Sequence, residues 1–469
     1  MSQPQVSERP KPFVFPEYCK GCGRCIDVCS KHCISLGTEI NPQTGLIPIV
    51  LDLEACNGCG LCITACPEPF GLQPQVQPGE DYELQDPAHL FGPRETEAPH
   101  AEPIPDELVD LPATAPLVIK GNYAAAIGAM LAGCRHVYGY PITPSTEGAE
   151  LMAKLLPKID GVFLQAVSEV ATVNIMYGCG GAGLPCLTFT SSPGFSLMLE
   201  GISYMIGSEV PGVFIDIMRG GPGLGNIAPE QSDIKLACRG LGHGNTHAIV
   251  LAPSTPQEML DLTILAFQLS FKYRNPVVIL GDGYLGQMTG RVTLPRKMVR
   301  PGRPEWAVWG DHDHRRNLIC SIYLSEQELE EHNKYLLGKY AEMTANEQRA
   351  DLFHCADAET LLVATTTPAQ MAKGAVQQLR QKGVKVGLFR PVTLWPFPIQ
   401  HLLPLLKRVE RIVVVEASNG QLEDELRLAL SHAGVFKPPL IENVRHYGGV
   451  LPGQTEIVNR ILAAEEVAS

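Results

Sequence analysis

Residues 186–219 read CLTFTSSPGFSLMLEGISYMIGSEVPGVFIDIMR. Two apolar runs, CLTFT (186–190) and GVFIDIM (212–218), flank a helix-length stretch, and each leads into a polar loop, TSSPGFS (190–196) and MRGGPGLGNIAPEQSD (218–233). The pattern continues on both sides, with apolar runs HVYGY (136–140), VFLQAV (162–167), HAIVLA (247–252) and PVVILG (276–281). Helix-length stretches over 123–134, 145–156, 168–178 and 255–271 separate most of them. Strand–helix alternation of this kind predicts a parallel sheet covered on both faces. It resumes after 355 with TLLVAT (360–365), VKVGLF (384–389), RIVVVEA (411–417) and LIENV (440–444), with helices near 368–382, 397–408 and 420–433. The fold class is therefore α/β, with two such domains at 116–300 and 355–469. Between them, 301–354 forms a connector: 301–320 carry no clear pattern, and Ser325 followed by Glu328 reads as a capping box opening a helix.

A chain of 469 residues exceeds one core, since domains run to about 100–200 residues. Hydrophobic residues at 45% and charged residues at 19% exclude a disordered chain. The net charge of −13 argues against a nucleic-acid binder. No apolar run approaches the roughly 18–20 residues of a membrane span. The start, MSQPQVSERPKP, lacks an apolar segment after its charges, so no secretory signal is read and a cytoplasmic location is expected. Residues 74–112 hold eight prolines, ten acidic residues and one base, Arg94. Such a composition buries too little surface to offset its ordering entropy, so 73–115 are read as an extended acidic linker, lying along another surface or free.

Nine of the fifteen cysteines fall between 19 and 66. Cys19, Cys22, Cys25 and Cys29 follow C-x2-C-x2-C-x3-C, and Cys56, Cys59, Cys62 and Cys66 repeat that spacing, with Pro67 after them. Three thiolates of a tight turn and a fourth from the opposite motif hold each cluster in two-cluster ferredoxins. Cys19, Cys22, Cys25 and Cys66 are assigned to one 4Fe-4S cluster, and Cys56, Cys59, Cys62 and Cys29 to the other, in a ferredoxin domain over 13–72. Zinc is the alternative, but its C-x2-C pairs normally stand further apart. Ser30 replaces the proline that usually follows the first motif. Cys33 is an extra thiol, read as a buried spectator and the one rival to Cys29. The 34–55 segment, with NPQTG as its turn, reads as a hairpin between the motifs.

In a parallel α/β sheet ligands bind beyond the carboxyl ends of the strands. The loops YPITPSTE (140–147), VSEVATV (167–173), TSSPGFS and MRGGPGLGNIAPEQSD leave those ends, so Thr143, Glu169, Ser191, Ser192 and Arg219 are expected on one edge. An arginine among glycines suits a carboxylate or phosphate, and a glutamate at a strand-to-helix turn can orient a heterocycle. Taken singly, Thr143 and Ser168 serve equally well as helix caps, and Glu169 as a favourable first-turn acid. GPGLGN (221–226) and GLGHGN (240–245) lack the dinucleotide fingerprint. GDG (281–283) starts like a thiamine diphosphate motif, but the asparagine pair expected downstream is missing, Asn317 standing alone, so it is read as a structural turn.

Over most of 116–469 the chain resembles the α subunit of 2-oxoacid:ferredoxin oxidoreductases. The resemblance rests on YPITPSTE, the Ser-Glu at 168–169, TFTSSPGFSLM, MRGGPGLG with PEQSD, YRNPVVILGDG, RPVTLWPFP (390–398) and VVVEASNGQLEDELR (413–427). PGLG, with LGQM after GDG, looks most like the 2-oxoisovalerate branch. The ferredoxin, usually a separate subunit, looks fused here. The resemblance implies two thiamine-enzyme-like parallel-sheet domains, the first pyrimidine-binding and the second like a transketolase C-terminal domain, preceded by a small α+β bacterial-type ferredoxin domain. It gives Thr143 and Arg219 to the substrate carboxylate, and Glu169 to the pyrimidine ring of thiamine diphosphate. Ser191 and Ser192 would lie near that cofactor, without fixed roles. It further implies a β subunit holding the diphosphate, Mg2+ and a third 4Fe-4S cluster, with or without a γ subunit. The activity implied is oxidative decarboxylation of a 2-oxoacid with coenzyme A to acyl-coenzyme A and carbon dioxide, electrons passing to an external ferredoxin in an anaerobic cytoplasm. 2-Oxoglutarate, pyruvate or an aryl 2-oxoacid are the other substrates. The competing reading is an electron-transfer and assembly subunit with no substrate site.

Overall fold

The six apolar runs between 136 and 282 become parallel neighbours in one seven-stranded sheet. The computed structural model describes residues 10–74, 101–314 and 317–468. The strand order is Thr393–Trp395, Ile249–Leu251, Pro276–Asp282, Gly212–Met218, Cys186–Thr190, His136–Gly139 and Val162–Gln165. The central pair runs in register from Gly212 opposite Pro276 to Met218 opposite Asp282. Both strands are buried throughout, which is why they read as continuous apolar runs without alternation. Of the two cap candidates, Ser168 caps its helix, whereas Thr143 caps none, since the helix that follows it begins at Thr146 behind Ser145. Ser168 Oγ accepts from the Ala171 N–H at 3.2 Å, and Thr255 Oγ1 from the Glu258 N–H at 3.2 Å. The connector helix Glu326–Asn346 is capped likewise, Ser325 accepting from the Glu328 N–H.

The runs after 355 form a second sheet in the order Ala350–Phe353, Val386–Pro391, Thr360–Val363, Arg411–Glu416 and Leu440–Arg445, parallel except for its first edge strand. Its two faces serve different cores, as side chains alternating across a strand require. Leu361, Val363, Ile412 and Val414 join the large core of the first sheet. Leu362, Val413 and Val415 pack with Val376 and Leu379 of helix Thr366–Gln381 and with Ile457 and Ile461 of the last helix. The chain divides into two compact units, Met1–Glu97 and Ala98–Ser469, so both α/β sheets belong to one unit.

Three boundaries differ from expectation, the first being Ala350–Phe353, read within the connector but paired as the edge strand of the second sheet. The tripeptide Thr393–Trp395, read within the second domain, pairs antiparallel with Ile249–Leu251 at the edge of the first sheet. The buried Trp395 ring stacks on His247 with centroids 4.5 Å apart, and Pro396, which has no N–H to donate, ends the strand. The stretch assigned to the linker is also paired from Ile104 onward. Ile104 bridges Arg303 and Glu107–Asp110 pairs with Lys297–Arg300; just beyond the linker, Leu117–Lys120 of the first α/β domain pairs with Thr289–Val292. Net composition hid the charge complementarity of these strands, in which Arg300 Nη1 lies 2.6 Å from Glu107 Oε2 and Lys297 Nζ lies 3.8 Å from Asp110 Oδ1. Residues 75–100, the remainder of that stretch, lie outside the described residues.

In the Met1–Glu97 unit, Pro12–Val14 pairs with Leu72–Pro74, and Ile34–Leu36 with Ile49–Leu51 as the expected hairpin. Its turn closes with the Gly45 N–H donating to the Asn41 carbonyl at 2.8 Å.

The two α/β sheets are stitched together by Gln231. Its side-chain oxygen accepts from the Ala417 N–H at 2.7 Å, its backbone N–H donates to the Ala417 carbonyl at 2.7 Å, and its amide nitrogen donates to Thr365 O and Thr366 Oγ1, both at 3.1 Å. All of this is buried, so truncation leaves the Ala417 N–H without its acceptor. Gln231→Ala should lower unfolding stability by about 1–3 kcal/mol in a denaturant titration, and an unchanged midpoint would contradict this role.

Candidate active site and cluster sites

Four loops meet at the carboxyl edge of the first sheet, as the topology requires. Arg219, the residue after strand Gly212–Met218, is 9% exposed and spans two of them. Its Nη1 donates to the Thr143 carbonyl at 2.8 Å and its Nη2 to the Leu224 carbonyl at 3.1 Å, while the buried Nε has no partner. The Thr143 side chain is exposed. The loop that accepts from Arg219 depends on Gly225, at φ +53°, where a Cβ would stand 1.7 Å from the Gly220 carbonyl oxygen. The Thr143 loop is held from behind: Asn122 Nδ2 donates to the Pro144 carbonyl at 2.8 Å, and Gln287 Nε2 to Glu147 Oε1 at 2.7 Å.

Glu169 opens helix Glu169–Gly181 and is 5% exposed. It packs on Gly194, where a Cβ would lie 2.5 Å from both Glu169 Oε1 and Thr190 Oγ1. The hydroxyls of Thr190 and Ser191 are buried there without hydrogen-bond partners. A carboxylate, a side-chain-free cradle and two unsatisfied hydroxyls are a donor set that fits a polar heterocycle.

Ser192 points elsewhere. Its hydroxyl donates to Asp233 Oδ2 and accepts from the Arg219 N–H at 3.1 Å, so it fastens the arginine loop. Ser232 Oγ joins it, 2.9 Å from the Arg219 carbonyl and 3.1 Å from Asp233 Oδ2. Beneath them lies Asp216 of strand Gly212–Met218, fully buried, with no N–H or O–H donor on either oxygen. Burial, then the Asp233 charge, pushes Asp216 well above the usual carboxylate range. Burial also raises Asp233, despite the hydroxyls of Ser192 and Ser232. Two buried carboxyls in contact must share a proton. An acid inside the otherwise apolar run GVFIDIM was the sequence signal for this pair, and it was missed.

Asp282 of GDG is fully buried and committed to structure. It accepts from the N–H groups of Tyr284 and Leu285 at 3.1 and 3.0 Å, and from the Thr367 N–H and hydroxyl at 2.9 and 2.7 Å. It is the structural turn expected, opening the short helix Gly283–Gln287 and tying it to Thr367.

Cys19, Cys22, Cys25 and Cys66 line one cavity, and Cys29, Cys56, Cys59 and Cys62 line another. The halves repeat in backbone as well as sequence. Gly23 and Gly60, both at φ 78°, precede helices Arg24–Asp27 and Leu61–Ala65. Backbone N–H groups reach sulfur, from Ile49 to Cys19 at 3.4 Å and from Gly58 to Cys56 at 3.5 Å. Cys33 also lines the second cavity, its Sγ 3.3 Å from Cys29 Sγ.

Three family models match: pyruvate flavodoxin/ferredoxin oxidoreductase, thiamine diphosphate-binding, over 127–357; pyruvate:ferredoxin oxidoreductase core domain II over 358–457; and a 4Fe-4S dicluster domain over 18–69. The ketoisovalerate oxidoreductase subunit VorB of Methanothermobacter marburgensis is 44% identical over 73% of this chain and 96% of its own. The chain belongs to the 2-oxoacid:ferredoxin oxidoreductases. The 2-oxoglutarate synthase subunit KorA of Methanocaldococcus jannaschii is 37% identical over 66% of this chain and 90% of its own. A solved 2-oxoglutarate:ferredoxin oxidoreductase from Magnetococcus marinus, with 2-oxoglutarate, coenzyme A and succinyl-CoA bound, superposes with TM-score 0.66 at 25% identity, over 74% of this chain and 65% of that one. This family member thus carries a thiamine diphosphate-binding domain and a 4Fe-4S ferredoxin domain in one chain.

The oxidoreductase's buried acid pair gives a pH signature. The folded carboxyls bind their shared proton above the usual carboxylate range, so the native state holds more protons than the unfolded one there. Their stabilisation is complete below the unfolded pKa of about 4 and is lost as pH rises through the raised folded value. Asp216→Asn, whose amide can donate to Asp233, should flatten that loss. Anaerobic melting curves from about pH 5 to 8 should converge with the wild type at the acid end and run above it at the alkaline end; parallel curves would refute the shared proton.

Proposed function

We propose that this chain is the ferredoxin-fused α subunit of an enzyme that converts a branched-chain 2-oxoacid, 2-oxoisovalerate, and coenzyme A into acyl-coenzyme A and carbon dioxide. Its electrons leave through two 4Fe-4S clusters to an external ferredoxin in a reducing, anaerobic cytoplasm. The observation that carries the reading is Arg219. Its guanidinium is nearly buried at the carboxyl edge of the sheet, with two N–H groups on carbonyls and Nε–H unpartnered, on the same sheet edge as the Glu169 cradle. The ketoisovalerate relatives support the branched substrate.

Each side chain has a task within this reading. Arg219 keeps free donors for the substrate carboxylate in a site shielded from water, where charge-assisted hydrogen bonds are strong. Thr143, on the loop that Arg219 grips, offers its exposed hydroxyl to the same group. Glu169 stands in a first helical turn, where free N–H groups favour an anion, and holds a proton-exchanging ring nitrogen of the cofactor. Ser191 supplies an unsatisfied hydroxyl beside it, while Ser192 positions Arg219. Thiamine diphosphate, when bound, would supply a nucleophilic carbon and an electron sink for the pair left behind when carbon dioxide departs. Cys19, Cys22, Cys25 and Cys66, and Cys56, Cys59, Cys62 and Cys29, hold the clusters.

A β subunit with a third cluster, which would hold the diphosphate and Mg2+, completes the site, with or without a γ subunit. The rim supports a protein partner: Val167, two residues before Glu169, is 89% exposed, and Leu224 and Ile227 of the arginine loop are 83% and 62% exposed. Exposed apolar side chains gathered around a cleft mark an interaction surface.

With the β partner supplied, Arg219→Ala should cut acyl-coenzyme A formation by at least about 100-fold, while iron content stays at the wild-type level. Survival of activity would leave the α/β domains as scaffold for an electron-transfer subunit. Side-by-side turnover of 2-oxoisovalerate and 2-oxoglutarate tests the substrate, and a strong preference for 2-oxoglutarate would overturn that choice.

A further inference from the structure

The two cluster cavities are not equivalent. Four thiols line the first, and five line the second, because Cys33 faces it together with Cys29, Cys56, Cys59 and Cys62. Cys33 is 7% exposed, and its sulfur lies 3.3 Å from that of Cys29. The chain reaches this arrangement through a closed turn. The His32 N–H donates to the Cys29 carbonyl at 3.0 Å, and His32 adopts φ 49°, a left-handed conformation that a residue with a side chain rarely takes. The turn brings the backbone back so that residue 33 presents its side chain beside residue 29. The hairpin then fixes it, the Asp52 N–H donating to the Cys33 carbonyl at 2.8 Å. In the first cavity, Cys66 occupies the place corresponding to Cys29 and has no such neighbour: its chain continues into Pro67 and Glu68.

We infer that Cys33 is a reserve ligand of the second cluster, able to take the iron held by Cys29 when that thiolate is lost. The inference rests on the reading of the two cavities as 4Fe-4S sites. Thiolate exchange at one iron needs no other reactant: the iron–Sγ bond to Cys29 breaks as that to Cys33 forms, the Cys33 S–H proton passes to the departing Cys29 thiolate (or to solvent where Cys29 is absent), and the iron's oxidation state is unchanged. The short sulfur–sulfur distance means the replacement requires a shift of one side chain and not a refolding of the loop. The second site therefore tolerates damage to its fourth ligand, and the first does not.

The experiment compares equivalent losses in the two halves of the full-length chain, prepared anaerobically. Wild-type protein should contain about eight iron and eight sulfide per chain, as two cubane clusters require; absence of both would refute the cluster reading itself, independently of Cys33. Cys29→Ala should keep about eight iron, with an altered reduced-state spin-resonance spectrum from the new ligand geometry. Cys66→Ala should fall to about four, or to seven with a three-iron signal. Cys33→Ala should match wild type, and the double variant Cys29→Ala/Cys33→Ala should lose iron as Cys66→Ala does. Equal iron loss in Cys29→Ala and Cys66→Ala, or a three-iron signal in Cys29→Ala, would overturn the inference. So would iron loss in Cys33→Ala with none in Cys29→Ala, which would make Cys33 the resident ligand. Circular dichroism of each variant separates ligand loss from failure to fold.

Discussion

The hydroxyl of Ser192 is the knot on which the active-site edge depends. It donates to a buried carboxylate, Asp233, and accepts from the backbone of Arg219, so both ends of the 218–233 loop are fastened to the 190–196 loop at one oxygen. A buried carboxylate is tolerable only when its oxygens are bonded, and Asp233 meets that condition with two serine hydroxyls and the proton it shares with Asp216. The result is directional. Satisfying Asp233 orients Ser192, Ser192 fixes the Arg219 backbone, and the guanidinium then reaches the Thr143 and Leu224 carbonyls and no others.

Much of this was legible in the sequence where the determinants are local. Strand runs such as GVFIDIM and RIVVVEA and the capping serines Ser168 and Ser325 depend on neighbours a few residues away, and each appears where its pattern places it. What was hidden depends on partners far along the chain. Thr393–Trp395 pairs with the first sheet because Trp395 finds His247, and no window around residue 395 contains that information. Glu107–Asp110 looked like linker because its acidic residues were counted as solvated charge, whereas Lys297–Arg300 lies opposite. Ser191 and Ser192 are adjacent and identical in type, yet one hydroxyl is buried without a partner and the other is tied to Asp233; strand-to-helix geometry sends neighbouring side chains in different directions. Asp216 was the most informative residue passed over, since an acid in a fully buried strand always needs an explanation.

The second α/β domain contributes no group to the candidate site, but the arginine loop could not hold its shape without it. Gly220, Gly221, Gly223 and Gly225 make that loop conformationally free in the unfolded chain, and an unordered loop would pay its ordering entropy on every encounter with substrate. The fold spends that entropy in advance. Asn226 Nδ2 donates to the Gly448 carbonyl at 3.0 Å, Glu230 Oε2 accepts from the Gly221 N–H at 2.9 Å, and Gln231 is sewn to Ala417 and Thr365. Each tie except that of Glu230 runs to the second sheet. The residues that look most dispensable to the chemistry, a domain used for packing, thus set how rigidly Arg219 is presented. Weakening those ties should loosen the arginine loop, because each of them fixes its position against the second domain.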